Sequence, residues 1–121
     1  MAYDSPFRVT YRFTANASVT ITELIAVPGG VNRGKIRHIS NTAPTFADAE
    51  TATHVVNIGD GEDADAFASA SLTVSADPQA ASFDASGGGF EVDDLAALTV
   101  SRAANSAVGK PVTTTVVVDW Y

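Results

Sequence analysis

Four carboxylates, Asp60, Glu62, Asp63 and Asp65, crowd one short stretch behind the apolar run Val55-Val56-Asn57-Ile58 and the punctuation Gly59-Asp60-Gly61. Carboxylates on a tight loop are hard oxygen donors, and the cation they suit is a large one with flexible coordination, calcium. Their spacing is not that of an EF-hand loop, and an acidic turn on a solvated surface is the simpler reading. A second candidate is Gly29-Gly30-Val31-Asn32-Arg33-Gly34-Lys35, which keeps P-loop spacing up to its lysine. It fails at Ile36, which has no hydroxyl for magnesium, and the residues that follow alternate like a strand instead of opening a phosphate-binding helix. His38 and His54 are the only imidazoles, each within an extended segment, and the chain has no cysteine. Thiolate chemistry, disulfides and zinc-thiolate sites are excluded, and nothing builds a Ser-His-Asp arrangement. The expectation is a protein that is not an enzyme and carries no cofactor or metal.

The elements that would position these residues read as strands. Phe7-Arg8-Val9-Thr10-Tyr11-Arg12-Phe13 alternates strictly, apolar on one side and Arg8, Thr10 and Arg12 on the other. Val19 to Ile25 begins the same way, but Leu24 breaks parity, which predicts a bulge or burial on both faces near Glu23. Pro28-Gly29-Gly30 predicts a type II turn with Pro28 and Gly29 at its corners. Gly34 to Asn41 follows, with Ile36 and His38 on one face and Lys35, Arg37 and Ile39 on the other, the second face extended by Arg33. Thr45-Phe46-Ala47-Asp48 has capping-box spacing and predicts one short helical turn over Phe46 to Thr51. Strands are expected at Thr53 to Ile58 and Ala68 to Val74, a loop from Ala76 to Gly89 with Asp77-Pro78 and Gly87-Gly88-Gly89 as reversals, and extended chain at Phe90-Glu91-Val92. Ala97 to Arg102 and Val112 to Trp120 read as a loose hairpin joined through Asn105 to Pro111. Seven or eight short strands with turns between them predict an all-β fold, an antiparallel β-sandwich or jelly roll, as a single domain over residues 1–121 with a possible N-terminal arm, Met1 to Pro6.

Charge is distributed unevenly. The net charge of the 121 residues is −7, yet residues 48–101 hold eleven acids and no Lys or Arg, while Arg8, Arg12, Arg33, Lys35 and Arg37 all fall within the first 47. Such a segregation suits contact with a charged neighbour as well as solubility, and a negative overall field argues against nucleic acid as partner. No apolar run approaches the ~18 residues of a membrane span and no leader pattern opens the chain, so a soluble protein made in a cytoplasm is expected. Asn16-Ala17-Ser18 fits the glycosylation pattern and reads as a turn. Trp120 and Tyr121, ending a valine-rich strand, suit a core, a subunit interface or a sugar-stacking platform.

Three pieces of wording carry a resemblance: the turn Val27-Pro28-Gly29, the run Asn57 to Phe67 with its Ile58-Gly59-Asp60-Gly61-Glu62-Asp63-Ala64-Asp65-Ala66-Phe67, and the closing strand Val112 to Tyr121. From about Ala17 to its end the chain resembles a group of small virion proteins of tailed bacteriophages that includes head decoration, or cement, proteins. The basic first strand and Gly87-Gly88-Gly89 are not part of that pattern. The resemblance implies a structural protein on the outer capsid surface, a homotrimer clamping adjacent major capsid subunits. Charge placement names Arg8, Arg12, Arg33, Lys35 and Arg37 as contact residues, with Trp120 and Tyr121 as further candidates. A carbohydrate- or calcium-binding β-sandwich module on a phage tail or another surface is the alternative.

Overall fold

Strict alternation makes Phe7–Asn16 (β1) a strand with Val9, Tyr11 and Phe13 turned toward the core and Arg8, Thr10 and Arg12 toward solvent. In the computed structural model, which describes residues 7–76, 80–83, 89–92 and 95–121, it is followed by Ile21–Ala26 (β2), Arg33–Thr42 (β3), Thr51–Gly59 (β4), Ala68–Ser75 (β5), Ala80–Phe83 (β6), Phe90–Glu91 (β7), Ala97–Arg102 (β8) and Pro111–Trp120 (β9). All pairing is antiparallel. The larger sheet runs β1-β9-β3-β6, with β7 also on β3, and the smaller runs β2-β8-β4-β5. The protein is thus an all-β sandwich, as its alternating segments require. The Met1–Pro6 arm, Asp77-Pro78 and Gly87-Gly88 lie outside the described residues.

Several local expectations are corrected. Ala97–Arg102 and Pro111–Trp120 do not form a hairpin: β8 pairs with β2 and β4, whereas β9 pairs with β1 and β3. Both strands present an apolar face, and those faces are buried by opposing each other across the core. β2 has no bulge. It pairs with β8 without a register shift, and Leu24 is simply an outward residue, 70% exposed. The bulge falls instead in β3, where the register against β9 shifts between Ile36 and His38. One extra residue there keeps both Ile36 and Ile39 buried and leaves His38 on the outer side. The segment read as loop from Ala76 contains β6, paired to Ile39–Thr42. The stretch Phe46 to Thr51 forms no helical turn: it holds a turn at Asp48-Ala49, with Ala49 at φ 68°, and ends in the first residue of β4. The turn after Pro28 sits one residue later than expected, with the positive φ of 83° at Gly30.

The core is divided. The main apolar cluster includes Ile36, Ile39, Val56, Leu98, Val100, Val116, Val118 and Trp120; a smaller one holds Ala17, Ala43, Phe46, Ala52, Val74, Val108 and Val112. Between them in strand order fall four buried polar residues: Asn41 on β3, His54 on β4, Arg102 on β8 and Thr114 on β9. Arg102 donates to the Val112 carbonyl at 2.9 Å, the Thr114 hydroxyl at 2.8 Å and the Ala15 carbonyl at 2.8 Å, and Thr114 donates to Asn41 Oδ1 at 2.8 Å. This polar layer joins the sheets through directional bonds where an apolar contact would leave register free to slip.

Candidate functional site

Five residues expected to make contacts come together on one surface. The order β1-β9-β3 and the alternation of each strand place Arg8 and Arg12 from β1, and Arg33, Lys35 and Arg37 from β3, on the outer face of the larger sheet, with Asp119 of β9 between the two rows. Arg8 is opposite Asp119 in register and grips it through two bonds, Nε to Oδ1 at 2.8 Å and Nη2 to Oδ2 at 3.2 Å. From the other side Arg37 approaches Asp119 Oδ2 at 3.5 Å, and Lys35 is its partner in register. The Arg8 bond, then the charges of Arg8, Arg37 and Lys35, hold the Asp119 carboxyl below its ordinary range, against the opposing effect of its own partial burial.

Arg33 closes the lower end of this face. It pairs with Glu91 at 3.2 Å and lies 5.6 Å from the centroid of the Tyr121 ring, close enough for a cation–π contact. Tyr121 therefore belongs to the basic face. Trp120 does not: its side chain is fully buried, its Nε1–H donates to the Tyr11 hydroxyl at 3.0 Å, and Phe90 meets it edge-on at 6.1 Å. Of the three roles its sequence position suited, Trp120 fills that of core anchor, so its indole offers no platform to a sugar or a partner. Gly34 makes this packing possible, since a Cβ there would stand 2.6 Å from Phe90 Cζ and 2.9 Å from Trp120 Cζ3.

The acidic loop between β4 and β5 is organised by its own backbone. Asp60 Oδ1 accepts the N–H groups of Glu62 at 3.0 Å and Asp63 at 2.9 Å, which pulls the Asp60 carboxyl below its usual range. Asp63 is pushed the other way, chiefly by a hydrogen bond shared with Asp65. Gly61 turns the loop at φ 96°, and Gly59 leaves space for it, because a Cβ there would collide with the Asp63 carbonyl. Among the described residues no three His, Asp or Glu side chains are grouped to hold a metal ion. Phe67 anchors the loop by stacking on Phe90 at 4.3 Å.

The remaining candidates separate. In Gly29 to Lys35, Gly29 and Gly30 form a turn and Arg33 to Lys35 already belong to β3, without the helix a nucleotide phosphate would need. His38 lies on the outer face of the larger sheet and His54 inside the smaller one, so they share no site. Asn16 Oδ1 accepts from Ser18 N at 3.0 Å and Ser18 Oγ at 2.8 Å, which makes the glycosylation pattern an Asx-type turn. Arg102 carries no contact role despite its charge. Its parity with Leu98 and Val100 was the available signal that it faces inward. A scan against protein-family models and a search of curated proteins return no match to this chain.

Proposed function

We propose that this protein is a non-enzymatic structural component of a tailed-phage virion that decorates the head and bridges adjacent major capsid subunits. The observation that carries the reading is the basic sheet face. Of seven Lys and Arg, five lie there; the other two are Arg102, in the core, and Lys110, paired with Glu50 at 2.6 Å. Among the described residues, the acids Asp119 and Glu91 against these five leave three positive charges on one face of a chain whose net charge is −7. A rigid sheet presenting separated cations suits docking to an acidic protein surface, and several such contacts per oligomer hold a shell more firmly than one. The likeness of Asn57 to Phe67 and of the closing strand to phage decoration proteins supplies the choice of partner.

The test is co-sedimentation of the protein with purified empty capsids at increasing salt. Binding that weakens with salt and is lost in a variant reversing Arg12, Lys35 and Arg37 supports the reading. Unchanged binding by that folded variant places docking on another surface, and no association with any capsid rejects the proposed partner.

A further inference from the structure

We propose that the outer edge of β1 takes up an extended segment of a partner protein, patterned apolar toward the core side and acidic toward the outer side, which adds a strand to the larger sheet. The inference goes beyond capsid decoration and stands without it. β1 is ten residues long and paired with β9 along its whole length, and among the described residues no strand pairs its other edge. Between Arg8 and Thr14 that edge offers a row of backbone donors and acceptors, the ordinary receptor for an added strand, whereas beyond it the Ala15 carbonyl accepts from Arg102 and the Asn16 carbonyl from the Val19 N–H.

The side chains on β1 state what would fit. Val9, Tyr11 and Phe13 pack against the main core yet remain only partly buried, because the sheet ends beside them. A neighbouring strand with apolar residues on that side would cover them. On the outer side the same edge shows Arg8 and Arg12, both exposed, and opposite charges directly across a strand pair are favourable. Asp119 engages Arg8 from the β9 side, while Thr115 is the residue opposite Arg12, so Arg12 is the more open of the two to an incoming carboxylate.

The same residues argue against a second copy as occupant. Antiparallel self-pairing centred on Thr10 sets Arg8 opposite Arg12 twice, and pairing centred on either arginine sets it against itself; like charges so placed are destabilising. The edge of the smaller sheet is protected differently. β2 carries Glu23 at a core-side position between Ile21 and Ile25, and an inward charge of this kind deters an added strand. β1 has charges only on its outer side, and they select a partner without closing the edge.

Capped nonapeptides that alternate valine with glutamate, or valine with lysine, test this with the full chain by fluorescence binding and by hydrogen exchange of the β1 amides. The valine-glutamate peptide should slow exchange at alternate β1 residues and bind roughly tenfold more tightly than its lysine counterpart. Arg12→Glu, an exposed substitution, should shrink or invert that preference. Unchanged β1 exchange with peptide present, or equal binding of the two peptides, overturns the proposal. So does a free protein that light scattering finds dimeric with its β1 edge already protected, since the occupant is then a second copy.

Discussion

The guanidinium of Arg102, on a strand of the smaller sheet, donates to the hydroxyl of Thr114 on the larger sheet at 2.8 Å, with no carboxylate partner for either residue among the described residues. Its charge is spread over three neutral acceptors, the Thr114 hydroxyl and the carbonyls of Val112 and Ala15. Desolvation lowers the arginine's pKa from its ordinary value. An ion in this position tolerates burial because its two terminal nitrogens find these acceptors, although Nε has no partner among the described residues, and removing it strands the acceptors it served.

Arg102→Ala should therefore cost about 3 kcal/mol or more, combining a cavity with unpaired buried carbonyls. Arg102→Met, which fills the space but donates nothing, should cost less, and Arg102→Met with Thr114→Val should recover part of that loss. Urea unfolding of the four proteins, read by Trp120 fluorescence, measures the series. Equal stability of wild type and Arg102→Ala would show that the bonds between the sheets contribute nothing.

His54 gives the fold a dependence on mild acid. Burial lowers its pKa, as does the nearby charge of Arg102, while the bond from Nδ1 to the Ala103 carbonyl at 2.7 Å acts in the opposite direction. A group whose folded pKa is depressed binds a proton more readily unfolded, so its stability contribution is complete above the unfolded value of 6.5 and declines as pH falls through the folded pKa. The midpoint of thermal unfolding should fall between pH 7 and pH values of about 5. His54→Asn, whose amide can occupy the Nδ1 position but does not titrate, should flatten that part of the profile.

Gly34 is the point at which backbone and aromatic packing meet. Gly34→Ala places a methyl 2.6 Å from Phe90 and 2.9 Å from Trp120, both rings held by other contacts. Overpacking of this kind costs about 1–3 kcal/mol. The near-ultraviolet circular dichroism of Trp120 should change in the same variant, since the ring must shift to admit the methyl. Gly109→Ala, where nothing lies within 4 Å of the added carbon, is the control and should leave both signals unaltered.

Much of this architecture is legible in the residue order, because period-two alternation states which side chains of β1, β4, β5 and β9 share a face. What is not legible is pairing between distant strands. β8 and β9 look like hairpin arms from their spacing, yet their apolar faces are satisfied only across the core from each other. The bulge at Arg37 is hidden for a related reason: Ile36 and Ile39 differ in parity, and only the register against β9 shows that both are buried. β6 is masked by its flanking Asp, Pro and Gly residues, which speak for a loop. The basic residues were readable one by one, but their assembly on one face depends on β9 lying between β1 and β3, which no local pattern encodes.

Asp119 sits where that assembly can be probed. It faces Arg8, Lys35 and Arg37, and its lowered pKa means that the contribution of these pairs is complete above 3.8 and lost as pH falls through the folded value. Glu50, lowered mainly by its bond from Lys110, titrates in the same direction from an ordinary value of 4.5. Asp119→Asn should cost only about 1 kcal/mol at neutral pH, since partly solvated ion pairs contribute little. The difference from wild type should shrink only as pH falls below 3.8 and vanish once it lies below the lowered folded value, where the wild-type carboxyl is neutral as well. The substitution also removes the one acid between the two basic rows, so the folded variant should bind an acidic surface more tightly at neutral pH. Weaker binding of Asp119→Asn to an anionic column or partner would mean that the carboxylate aligns Arg8 and Arg37 for contact instead of neutralising them.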